Sequence, residues 1–131
     1  YKKHEELAAG EIEAVREVLT RARSQIERGW TRFVAAKDEN GRSVSSEDPR
    51  ACSFCLYGAV WSIVGDCPES VEILLQRAKA ILAPESRNET LYAYNDADGR
   101  TQGEVVALFN KAIELTNEIK KEGTDAPETS D

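Results

Sequence analysis

Methionine is absent from this chain of 131 residues, histidine occurs once and cysteine three times. Each scarcity removes a class of function. His4 is the single imidazole, in a segment expected to fray, so no Ser-His-acid or Cys-His set can be assembled without it. No glycine-rich phosphate loop occurs. No apolar run approaches the ~20 residues that would span a bilayer. No basic-then-apolar leader opens the chain, so a cytoplasmic location is expected. Without an initiator methionine, Tyr1 is not expected to be the native start. A domain of this size buries roughly two-thirds of the surface of its unfolded chain, so neither a disulfide nor a metal is needed to hold it together.

Positive charge is also in short supply. Seventeen Lys and Arg stand against 24 Asp and Glu, a net charge of -7. Glu122, Asp125, Glu128 and Asp131 carry part of that excess, in a polar segment over 122–131 expected to be a disordered acidic tail. Such a balance argues against nucleic acid, whose affinity for proteins comes largely from Lys and Arg releasing counterions. It argues equally against an anionic membrane surface. Arg16, Arg21, Arg23 and Arg28 cluster on the first helix and read as its solvated face.

What the chain does have is helical periodicity. Ala8, Ile12, Val15, Leu19, Ala22 and Ile26 recur at spacings of four and three, one apolar stripe on a helix from about Leu7 to Arg28. Gly29 stands where a left-handed cap is expected. Residues 30–37 are rich in aromatic and β-branched types. Asn40-Gly41 suits a tight turn, and Arg42 to Ser45 returns as a second strand, which together predict a β-hairpin. Asp48-Pro49 reads as the opening of a second, nearly all-apolar helix over 49–64 that ends at Gly65 and forms the buried centre. Gly58 within it implies a close backbone approach by another element.

A third helix follows from Pro68 and Ser70, with Val71, Leu74, Leu75, Ala78, Ile81 and Leu82 inward and a stop at Ala83-Pro84. The stretch from Thr90 to Tyr94 is too short to assign, and Asn95 to Arg100 has turn composition. Thr101 and Glu104 form a capping box for a fourth helix to about Lys121, with Val105, Leu108, Phe109, Ala112, Leu115 and Ile119 as its stripe. The fold class expected is mainly α: one compact four-helix domain over 1–121, with one short β-hairpin between the first and second helices.

Candidate chemistry is thin. Cys52, Cys55 and Cys67, with His4, are a weak zinc alternative. On a helix over 49–64, Cys67 would lie about a dozen residues beyond Cys55, or roughly 18 Å of rise, so buried inert thiols are the expected reading, with no metal and no cofactor. The turns around Gly41 and Gly99 share the order Asp, any, Asn/Asp, Gly, Arg, hydroxyl. Neither is a calcium loop: the first ligand position falls on Ala36 or Tyr94. A polar-aromatic set remains, Trp30, Tyr92, Tyr94, Asn95, Asp96 and Arg100. These side chains either satisfy loop backbone and helix ends or build a small binding pocket.

The ordered set Gly29-Trp30, the Asp-x-x-Gly-Arg turn, Asp48-Pro49 with Ala51, Cys55-Leu56-x-Gly58-Ala59, and Asn95-Asp96 followed by Gly99-Arg100-Thr101 and Glu104-Val105 resembles a family of small uncharacterised proteins of bacteria and their phages. That family is a domain of unknown function, and the likeness runs from about Val18 to Ile113. It implies a cytoplasmic bacterial setting and no catalytic activity. It further implies Trp30, Cys55, Gly58, Asn95, Asp96 and Arg100 as family features, with Cys55 the one recurring cysteine. The function expected is a non-catalytic protein-interaction or regulatory module acting through a helical face or the acidic tail, as monomer or homodimer. The alternative is a small-ligand binder or enzyme using a pocket near Trp30, Asn95, Asp96 and Arg100.

Overall fold

A computed structural model describes the backbone of residues 9–129 and the side chains of residues 11–119. It is mainly helical with a small antiparallel sheet, and the helices number five among the described residues, one more than periodicity predicts. The first, α1, spans Ala9–Arg28, and its stripe from Ile12 to Ile26 is buried as read. Ala8 and His4 lie outside the described residues.

Three two-residue strands follow: β1 (Ala36–Lys37), β2 (Ser43–Val44) and β3 (Ser53–Phe54), in spatial order β2-β1-β3. The expected lone hairpin over 30–45 is corrected: β1 and β2 pair only at Ala36–Lys37 and Ser43–Val44, β3 joins them as a third strand, and the turn differs too. Only Gly41 takes a positive φ, of 81°, and the Asp38 carbonyl accepts its N–H at 3.0 Å. Asp38 Oδ1 accepts the N–H groups of Asn40 and Arg42, both at 2.9 Å, so the aspartate rather than an Asn-Gly pair shapes the loop. The related turn at Gly99 also has positive φ, 79°, so the repeated sequence pattern marks two left-handed glycines.

The expected helix over 49–64 is corrected most. Its second half is helical, α2 (Leu56–Val64), and its first half is extended. The Lys37 carbonyl accepts the Cys52 N–H at 2.9 Å, that of Gly29 the Phe54 N–H at 3.0 Å, and that of Ala35 the Cys55 N–H at 3.0 Å. Pairing with chain on both sides thus overrides the local helical signal. Asp48-Pro49 makes a turn, with Asp48 Oδ1 accepting the Arg50 N–H at 2.8 Å. Leu56 to Val60 are buried, whereas Val64 is exposed, so the centre of the molecule is one and a half helical turns long.

Gly29 is not a left-handed cap. A Cβ there would stand 2.4 Å from the Cys52 carbonyl oxygen, so the glycine is needed for close passage of β3. Gly58 meets the expectation of close approach, since its Cβ would fall 1.9 Å from the Ala35 carbonyl oxygen. Gly65 caps α2 in the left-handed region.

The third helix, α3 (Glu69–Leu82), buries Val71, Leu74, Leu75 and Ala78, but Ile81 and Leu82 are exposed and Lys79 is buried in their place. Lys79 Nζ donates to the carbonyls of Ser86, the last residue of the 3-10 turn at Pro84–Ser86, and of Glu89 beyond it. The unassigned stretch is a helix, α4 (Leu91–Asp96), capped by Thr90 Oγ1. Asn95 and Asp96 therefore end a helix, and the turn starts after them. The last helix, α5 (Gln102–Thr129), opens on the expected capping box, Thr101 N–H to Glu104 Oε1 at 2.9 Å and Glu104 N–H to Thr101 Oγ1 at 3.1 Å. The side chains of the 122–131 tail lie outside the described residues.

The core gathers Leu19 and Ile26 of α1, Leu56 and Val60 of α2, Leu75 of α3, Leu91 of α4 and Leu108 and Phe109 of α5, all essentially without solvent contact. Two of the α1 arginines tie that helix to α5 rather than facing water alone: Arg16 Nε donates to Thr116 Oγ1 at 3.2 Å and Arg23 Nη1 to Asn110 Oδ1 at 2.7 Å. No helix among the described residues is long and apolar enough to cross a membrane.

Candidate functional site

Three of the four site residues expected from sequence meet at one point. Asn95 is buried at the end of α4, and its amide uses its full hydrogen-bonding capacity. Its Oδ1 accepts the Trp30 indole N–H at 2.8 Å and the Leu56 backbone N–H at 3.0 Å. Its Nδ2 donates to the Thr31 carbonyl at 3.2 Å and to Asp96 Oδ1 at 2.9 Å. One side chain thereby joins α4, the start of α2 and the segment after α1. Arg100 goes elsewhere: its Nε donates to the Tyr94 carbonyl at 2.7 Å, its guanidinium lies 3.7 Å from the Tyr94 ring centroid, and Nη1 pairs with Glu104 at 3.5 Å.

Asp96 turns this structural hub outward. Its Oδ1 also accepts the backbone N–H of Phe33 at 3.0 Å, while Oδ2 has no hydrogen-bond partner among the described residues. Phe33 has φ of 74°, the one non-glycine residue with positive φ among those described. The chain is forced there. Thr31 is pinned to Phe54 at 3.1 Å and Ala35 to Cys55, so residues 32–34 must bend within two fixed ends. Arg32 braces the bend by donating to the Ala97 carbonyl at 2.9 Å, with its guanidinium 5.1 Å from the Phe33 ring centroid. A left-handed backbone costs a non-glycine residue roughly 1–2 kcal/mol. Yet the Phe33 side chain is 71% exposed, so core burial does not offset that cost.

Beside Phe33 opens a pocket of about 240 Å³. Phe33, Tyr57, Trp61 and Tyr92 supply aromatic walls, with Cys55 and Asp96 among the rest of its lining. Tyr57 stacks on Trp61 with centroids 5.6 Å apart and meets Tyr92 at 4.4 Å. Tyr92, half exposed, belongs to the same lining. The Tyr57 hydroxyl donates to Glu72 Oε1 at 2.7 Å; burial and that carboxylate both push its ionisation upward, so the phenol stays neutral. A larger hollow of about 530 Å³ against Gln25, Arg28, Glu47 and Asp48 is wide open with mostly polar walls, and shows no such convergence.

The cysteines do not form one cluster. Cys52 precedes β3, Cys55 caps α2 through Sγ accepting the Gly58 N–H at 3.2 Å, and Cys67 lies beyond α2, 3.8 Å from Glu72 Oε1. Among the described residues no group of three or more His, Cys, Asp or Glu is placed to hold a metal. Burial pushes the Cys55 thiol up, and burial with the Glu72 charge pushes that of Cys67 up to about 12. Both are neutral thiols near neutral pH, and neutral thiols are poor nucleophiles.

Sequence reasoning singled out Tyr92, Asn95 and Asp96 but not Phe33, Tyr57 or Trp61. Tyr57 and Trp61 read as part of an all-round apolar helix, and nothing local distinguishes Phe33 from a strand residue. Residues 11–115 match the model of a family described as a family of unknown function, DUF6197. No curated protein and no solved structure matches the chain.

Proposed function

The chain belongs to DUF6197, a family of unknown function, and on that premise we propose from its own geometry that it is a non-catalytic interaction module. Its recognition element is the aromatic pocket between Phe33 and Tyr92. One observation carries this reading: an exposed phenylalanine is held in a backbone conformation that glycine would adopt more cheaply. Strain kept at an exposed side chain, with no packing return, points to a role for that side chain in binding. Size favours a partner protein over a free metabolite. Ligand pockets usually span roughly 300–1,000 Å³, and one of about 240 Å³ suits a single side chain of a partner. The buried neutral Cys55 and the fully occupied Asn95 amide supply no reacting group to the pocket.

The test is a nuclear magnetic resonance titration of the full chain with a neutral side-chain mimic, N-acetyl-norleucine methyl amide. Shifts should cluster at residues 33–35, 55–57, 92 and 96. Phe33→Gly should abolish them while leaving stability unchanged or raised by up to ~1 kcal/mol, because glycine relieves the positive φ. Absence of any clustered shift in the wild type, with this probe and with its charged lysine, arginine and glutamate analogues alike, would remove this reading. So would a Phe33→Gly protein that binds as before.

A further inference from the structure

We infer that the side chain taken into this pocket is cationic, a lysine or arginine of the partner, with its stem against the Phe33 and Tyr92 rings and its head at Asp96 Oδ2. The inference rests on the docking reading above and adds the chemistry of the occupant. Four aromatic rings line the pocket, and aromatic faces attract cations through the negative face of the ring quadrupole. Tyr57 strengthens this, since donating its hydroxyl proton to the Glu72 carboxylate makes the ring more electron-rich. Asp96 contributes a carboxylate oxygen left without a partner among the described residues.

No Lys, Arg or His is among the ten residues lining the pocket. Arg32, which lies against the Phe33 ring, is anchored on the Ala97 and Asp96 carbonyls and is not part of that lining. Aromatic walls with one open carboxylate and no cation in the lining match an alkyl stem ending in a positive charge, because such side chains lay apolar carbons on apolar surface and keep the head polar. The chain's net charge of -7 draws the same partner from a distance.

The experiment compares N-acetyl-lysine methyl amide, N-acetyl-arginine methyl amide, the neutral norleucine analogue and the anionic glutamate analogue, titrated against the full-length wild-type chain and Asp96→Asn. The substitution keeps a carbonyl oxygen for the Phe33 N–H and removes the charge. The lysine or arginine probe should bind about five-fold tighter than norleucine, the ratio that ~1 kcal/mol of cation–π and ion-pair energy gives, and glutamate weakest. Asp96→Asn should remove the ion-pair share of that preference and leave only the smaller advantage the rings give. A second readout covers the event that Asp96→Asn disturbs the bend: in the wild type, 500 mM salt should weaken lysine binding and leave norleucine binding unchanged. Norleucine binding as tightly as lysine, or a cation preference undiminished by both Asp96→Asn and high salt, would overturn the inference while leaving the docking site standing. Shifts with none of the four probes would overturn both.

Discussion

Trp30 and Asn95, 65 residues apart in the chain, share a hydrogen bond of 2.8 Å from the indole Nε1 to the amide Oδ1. That oxygen also accepts the first backbone N–H of α2, and the amide nitrogen reaches Thr31. Asn95 therefore fixes where α4 sits against α2 and the chain leaving α1. Asp96, the next residue, then holds the Phe33 N–H and sets one wall of the pocket.

Replacing Asn95 with alanine leaves the Trp30 indole N–H and the Leu56 N–H without their acceptor. Each stranded donor costs about 1–3 kcal/mol, so Asn95→Ala should lose roughly 2–5 kcal/mol in urea unfolding, a large share of ordinary domain stability. Trp30→Phe removes a donor together with part of a ring, and in a double-mutant cycle it should couple to Asn95→Ala by at least ~0.5 kcal/mol. A destabilisation by Asn95→Ala below ~0.5 kcal/mol would show that this junction does not organise the fold.

Gly58 offers a reversal of sign. In a free helix, alanine outranks glycine by about 1 kcal/mol. At position 58 the added carbon would fall 1.9 Å from the Ala35 carbonyl oxygen, a backbone atom that cannot step aside. Gly58→Ala should therefore destabilise by at least ~2 kcal/mol. Gly103, in the first turn of α5, has no comparable neighbour: a Cβ there meets its nearest atom, Thr101 Oγ1, at 4.0 Å. Gly103→Ala should stabilise by about 0.5 kcal/mol. Equal effects at the two positions, read from thermal or urea midpoints, would contradict the close passage of residue 35 over α2.

Asp48 should shape the acid limb of stability. Its carboxylate accepts the Arg50 side chain at 2.9 and 3.1 Å and the Arg50 backbone N–H at 2.8 Å, which lowers its pKa to about 2. An unfolded aspartate titrates near ~3.9. The folded chain thus releases this proton more readily, so the stabilisation is fully present above the unfolded value and is lost as pH falls through about 2. Asp48→Asn should lower the melting temperature at pH 7, where the stabilisation is fully present, and flatten its fall between pH 5 and pH 2, so that variant and wild type converge at low pH. An unchanged acid slope would show that the Asp48–Arg50 turn does not persist in solution.

The long helices and their inner faces were legible in the sequence because their cause is local. The stripe from Ile12 to Ile26, the Val105 to Leu115 stripe, the capping box at Thr101 and the glycine cap at Gly65 depend on residues within a few turns of each other, and the structure has them where spacing put them. Gly58 also announced itself, since a glycine that weakens a buried helix implies a neighbour that needs the room. Asn95 and Asp96 stood out by type and place, although their composition suggested a turn and not the end of α4.

Residues 49–55 are where local evidence fails. Asp48-Pro49 and the apolar run after it satisfy every rule for a helix start, yet the Lys37, Gly29 and Ala35 carbonyls draw that segment into a sheet. Those partners lie some 15 to 25 residues away, and no window along the chain contains them. The same pinning bends residues 32–34, turns Phe33 into a strained and exposed rim group, and brings Tyr57, Trp61, Tyr92 and Asp96 around one space. Composition and periodicity settled the helical class and the faces of α1 and α5. The pocket exists only because three segments distant in sequence hydrogen-bond to one another, and that is a decision of tertiary structure.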